Sequence, residues 1–112
     1  MSGVISEFPA TAQFLRIHQM GMRVAVRLRC PKGAALACKG TVRLGKTGNG
    51  GARRLAPLAA GRSTTVVIPI SVQWRRLLVI RGRLRAQVWL MPEAHSLAGA
   101  LSRQITLRAP RR

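Results

Sequence analysis

The chain has 112 residues, 47% of them hydrophobic, and sets 20 Lys and Arg against two acidic residues, a net charge of +18. One domain of this length buries roughly two-thirds of its unfolded surface, enough for a real core. Glu7 and Glu93 are the only side-chain carboxylates and there is no aspartate, so paired-carboxylate chemistry and acid-oriented nucleophile triads lack their parts; a non-catalytic protein without cofactor is expected.

In chain order, residues 1–13 read as a leader or ragged first strand, and residues 14–112 as one domain. Phe14, Ile17 and Met20 have helical spacing, but Leu15-Arg16-Ile17-His18 alternates, and an edge strand is the reading adopted. Over 21–30 the alternation is clearest. Met22, Val24, Val26, Leu28 and Cys30 share one face and Arg23, Arg27 and Arg29 the other, as period-two patterning requires of a half-buried strand. Pro31-Lys32-Gly33 is turn chemistry, and Cys38 leads into a second alternating run over 38–45. The glycines and asparagine of 45–51 suit a loop with positive φ, and 52–58 is read as a short strand. After a turn at 59–62, Thr64, Val66, Ile68 and Ile70 alternate, with Pro69 marking an edge or a strand end.

Ser71 opens a different pattern. Trp74, Leu77 and Leu78 fall at i, i+3 and i+4, which predicts a short helix over 71–81 with Ser71 as N-cap and Gly82 as stop. Over 83–91, Leu84, Ala86, Val88 and Leu90 face inward and Arg83, Arg85, Gln87 and Trp89 outward. A loop at 92–101 precedes a final strand carrying Ile105, Leu107 and Ala109 and ending at Pro110. Six or seven short strands with one helical crossover indicate an all-β sandwich. Its inward rows (Val24, Val26, Leu28, Val42, Leu44, Val66, Ile68, Leu84, Val88, Ile105 and Leu107) are expected to form one core, closed at one end by Trp74, Leu77 and Leu78.

Cys30 and Cys38 bracket the turn between two neighbouring strands. One intrachain bond is possible, and closing so short a loop contributes roughly 2.6 kcal/mol; two buried free thiols are the alternative. The C-x7-C spacing is neither a zinc knuckle nor a redox motif, and His18 and His95 lie far off in sequence, so no metal is expected.

The arginine excess draws polyanions, or it simply occupies the solvated sides of strands. Arg23, Arg27, Arg29, Arg83, Arg85 and Trp89 are the candidate contacts, Trp89 as an aromatic platform beside the arginines of its strand face. No RNA-recognition or zinc-finger signature is present, so nucleic acid would be held through non-specific phosphate contacts, as in a small basic nucleic-acid-binding or ribosome-associated protein. Gly40-Thr-Val-Arg-Leu-Gly45-Lys46-Thr47 satisfies the phosphate-loop pattern. Its first half is strand-like, however, and Gly-Asn-Gly-Gly cannot start the required helix. The 71–81 segment, with its leucines and arginines, is read as crossover packing rather than a membrane-lying helix. No apolar run reaches the length of a membrane span.

Leu28-Arg29-Cys30-Pro31, Ala37-Cys38-Lys39-Gly40-Thr41-Val42, Leu58-Ala59-Ala60-Gly61-Arg62-Ser63, Arg75-Arg76-Leu77-Leu78, Gly82-Arg83-Leu84-Arg85-Ala86 and Thr106-Leu107-Arg108-Ala109-Pro110 follow in order. Together they resemble the immunoglobulin-like modules, often in tandem, of secreted and surface proteins from high-GC actinobacteria, over about residues 20–110. The resemblance implies an immunoglobulin-like β-sandwich with a Cys30–Cys38 disulfide. It also implies a structural or adhesive role beside neighbouring domains or cell-surface polymers, and no catalytic residues. Met1–Glu7 has neither a positive n-region nor an apolar h-region. The expectation is therefore a module of a longer extracellular chain, or a cytoplasmic protein if the chain is complete as given.

Overall fold

Among the described residues, alternating apolar and polar positions build seven strands, and one capped segment builds a helix. They run β1 (Gln13–Met20), β2 (Arg23–Arg29), β3 (Cys38–Leu44), β4 (Gly51–Leu58), β5 (Ser63–Pro69), α1 (Val72–Arg81), β6 (Arg83–Pro92) and β7 (Leu101–Arg108). The structure is a computed structural model and describes residues 12–34, 36–45, 47–92 and 100–110. Glu7, Glu93, His95, Lys46 and nearly all of the expected leader lie outside the described residues. The strands form two antiparallel sheets, one of order β1-β2-β5 and one of order β4-β3-β6-β7. The protein is an all-β sandwich with one helical crossover between β5 and β6.

The inner faces of both sheets merge into one hydrophobic cluster, since a strand with one apolar face must bury it against another layer. Val24, Val26, Leu28, Val42, Leu44, Ile68, Val88 and Leu107 are fully buried there, with Val66 close behind; Leu84 and Ile105 are half-buried against its rim. β2 lies at the centre of its sheet, so even Ala25 on the outer face is covered, flanked in register by His18 and Val67.

Two irregularities explain spacings that simple alternation does not. In β1 the register shifts between Phe14 and Arg16, so that Phe14 opposes Leu28 while Arg16 already opposes Arg27. Leu15 is the extra residue of a bulge. The three-residue spacing of Phe14 and Ile17 therefore comes from a bulged strand that puts both rings and chains inward, and not from a helical turn. In β4 a similar shift separates Leu58, opposite Cys38, from Leu55, opposite Gly40. Pro57 sits in that irregularity on an edge strand, where a missing N–H is tolerated.

The final strand is longer than the alternation indicated. It begins at Leu101, within the expected 92–101 loop, and pairs with β6 in unbroken register from Leu90↔Leu101 to Arg83↔Arg108. Its first half does not alternate because β7 is an edge: Arg103 takes an inward-row position opposite Val88 but stays exposed, its guanidinium 5.6 Å from the Phe14 ring centroid of β1. On the same flank the Gln19 side chain behaves like a short piece of strand. Its Nε2 donates to the Arg108 carbonyl at 2.6 Å, and its Oε1 accepts from the Arg108 N–H at 2.8 Å.

Candidate polyanion interface

The two ends of the sandwich are built differently. At one end, Cys30 and Cys38 are joined in a disulfide with Cα atoms 5.7 Å apart. Both are fully buried, and Cys30 also exchanges backbone hydrogen bonds with the 59–62 turn, donating to the Arg62 carbonyl and accepting from the Gly61 N–H. The free-thiol alternative is set aside. At the other end, Ser71 caps α1 by accepting from the Trp74 N–H at 3.3 Å, and Gly82, in the left-handed region at φ 78°, closes it by donating to the Leu78 carbonyl. Leu78 is buried and Trp74 half-buried over Gly50, where an added methyl would overlap the indole ring.

The strand register sorts the candidate arginines onto two surfaces. Arg23, Arg27 and Arg29 lie on the outer face of the three-stranded sheet, with Arg16 and His18 of β1 beside them. Arg83, Arg85 and Trp89 lie on the outer face of the four-stranded sheet, with Arg43 and Arg108 as cross-strand neighbours. The sandwich core stands between the two groups, so the six sequence candidates fall on two opposite faces and are not brought together. Arg16, Arg43 and Arg108 were absent from that set. Arg16 already stood on the polar side of its alternating run, but only the strand pairing places it opposite Arg27.

Each face carries one directly opposed arginine pair, Arg16↔Arg27 and Arg83↔Arg108. Like charges directly opposite each other across a ladder are destabilising, by an amount that solvent screening limits. An anion lying between the two guanidiniums reverses the sign of that term. All four are exposed, and no described residue carries a side-chain carboxylate to neutralise them.

Trp89 departs from the outward platform its strand position suggests. It lies between Arg43 and Ser102 in register, and it is only half exposed, with Nε1 buried and unpartnered among the described residues. The indole edge is committed to covering the sheet. Gly40 to Leu44, the supposed phosphate loop, are residues of β3, and the chain turns back at Gly45 (φ 81°) into β4 without a helix. Among the described residues no three His, Cys, Asp or Glu come together as a metal site, and no helix is long and apolar enough to cross a membrane. No family model, curated protein or solved structure matches the chain.

Proposed function

We propose that this chain is a non-catalytic, immunoglobulin-like structural and adhesive module of a secreted or surface protein, and that it holds acidic polymers against its arginine-lined sheet faces. The observation that carries the reading is the pair of opposed arginines on each face, a cost to the fold that a bound polyanion removes. Two further features support it. The strand order, three strands against four with the crossover between β5 and β6, suits an immunoglobulin-like sandwich, and a buried disulfide belongs in an oxidising compartment.

The test is binding to polyphosphate and to unrelated oligonucleotides across a salt series. Affinity is expected to be independent of base sequence and to fall steeply with salt, because arginines contact phosphates while few groups read bases. Arg16→Gln with Arg27→Gln, and separately Arg83→Gln with Arg108→Gln, should each lower affinity and shallow the salt slope. A preference for one base sequence that survives high salt would overturn the reading in favour of a base-reading surface apart from the arginine faces. Unchanged binding in both double variants would overturn the placement of the interface.

A further inference from the structure

The crossover helix packs one face on the sandwich and leaves aliphatic side chains exposed on the other. Leu78 is buried in the core and Trp74 packs against it, whereas Leu77, expected beside them, is half-buried and stands outside that cluster. Val72, Arg75, Arg76, Val79 and Ile80 fall at i, i+3, i+4, i+7 and i+8, the spacing of one continuous helical stripe. Every one of them is exposed, Val72 at 54%, Val79 at 72% and Ile80 at 79% of full accessibility. Three of the five are aliphatic and two are arginine, so this exposed face mixes apolar and cationic side chains.

Local folding does not account for these residues. Val and Ile are weaker helix formers than the Ala, Lys or Glu that suit a solvated helical surface, and α1 has no acidic residue in its first turn to favour the helix dipole. The helix is held instead by its Ser71 and Gly82 caps and by Leu78 and Trp74. The stripe is also placed to be met from outside. α1 crosses the end of the sandwich where the β1–β2 and β3–β4 turns lie, and Ile70 and Ser71 tie it there, the first donating to the Met22 carbonyl and the second to that of Gly50. Met20, at the tip of the β1–β2 turn, adds another exposed apolar side chain to this end.

The composition of the stripe selects its partner. Aliphatic side chains gain nothing from a nucleic-acid backbone and offer no stacking platform. Protruding aliphatics among arginines match the boundary of an anionic membrane, where hydrocarbon lies just beneath a sheet of phosphates. We propose that the outer face of α1 docks on an anionic phospholipid bilayer, with Val79 and Ile80 entering the headgroup–acyl boundary and Arg75 and Arg76 pairing with lipid phosphates. α1 is a ten-residue helix, so the contact is reversible and peripheral. It orients the module with one end down and both arginine faces standing clear of the surface.

Because so basic a chain adsorbs to any anionic vesicle, the informative variant removes apolar surface and keeps charge. Sedimentation with phosphatidylcholine vesicles containing roughly one-third phosphatidylglycerol should show Val79→Ser with Ile80→Ser weakening binding about tenfold. The same substitutions should leave affinity for polyphosphate unchanged. Leu36→Ser with Leu101→Ser, which removes exposed leucines from the opposite end, should leave vesicle binding unchanged, and circular dichroism checks that each variant is folded. Equal vesicle binding by the Val79/Ile80 variant and the parent would overturn the proposal in favour of plain electrostatic adsorption. A parallel loss of polyphosphate binding would overturn it in favour of a polyanion site on the helix. Failure of the arginine-face variants to alter polyphosphate binding bears on the sheet interface alone and leaves this result standing.

Discussion

The two ends of the sandwich perform the same task by different means. Each must seal an open core between sheets, and one does so with a covalent bond between buried cysteines, the other with a capped helix laid across glycines. The disulfide acts chiefly by limiting the unfolded chain, so its contribution depends on redox state and little on how well it packs. The helix acts in the folded state, through Leu78 and Trp74, and is indifferent to reductant. A small domain with a modest core benefits from having both, because the two devices fail under different conditions.

Substitutions at the two ends separate these contributions. Leu78→Ala removes a fully buried side chain at the helix end and should cost about 3–4 kcal/mol in urea melts, under oxidising and reducing conditions alike. Replacing Cys30 and Cys38 together by Ala should cost about 2–3 kcal/mol and lower the melting temperature by roughly 10 °C. Reductant should then change the parent and leave this variant where it is; two titratable thiols in the native oxidised protein would remove the basis of the comparison. Ser71→Ala should cost about 1 kcal/mol through loss of the N-cap, visible as fraying of α1 by hydrogen exchange before the sheets open. Arg27→Ala and Arg85→Ala, on the outer faces, should each stay within about 0.5 kcal/mol. A larger loss than for Val26→Ala would mean that the β2 register is displaced by one residue.

Much of this architecture was legible in the chain. The strict alternation from Met22 to Cys30 fixes the inner row of β2, and Ser71 with Gly82 brackets the helix to within a residue. The cysteines gave the cross-link only together with the turn between them, because two thiols at that spacing are chemically neutral about pairing. What stayed hidden depends on partners distant in sequence. Leu15 reads as part of an alternating run until its pairing with β2 shows it to be the bulged residue. Leu101 read as the end of a loop, and no alternation marked the start of β7, because an edge strand need not alternate: Arg103 occupies an inner-row position and reaches over Phe14 instead of burying itself. The division of the arginines between two faces was invisible for the same reason. Alternation tells which side of its own strand a residue takes, and strand order alone tells which residues of other strands share that side.

The hydrogen bonds from Gln19 to the backbone of Arg108 have a consequence for solubility. Open sheet edges are where β proteins recruit one another into aggregates. On the flank between β1 and β7, the glutamine amide occupies the very donor and acceptor of Arg108 that an added strand would seek, and the guanidinium of Arg103 stands over the adjoining opening. On the opposite flank Pro57 and Pro69 interrupt the edges of β4 and β5, and the bulge around Pro57 spoils the regular repeat that templating needs. Among the described residues, both flanks are thereby guarded against lateral growth of the sheets by pairing with further strands.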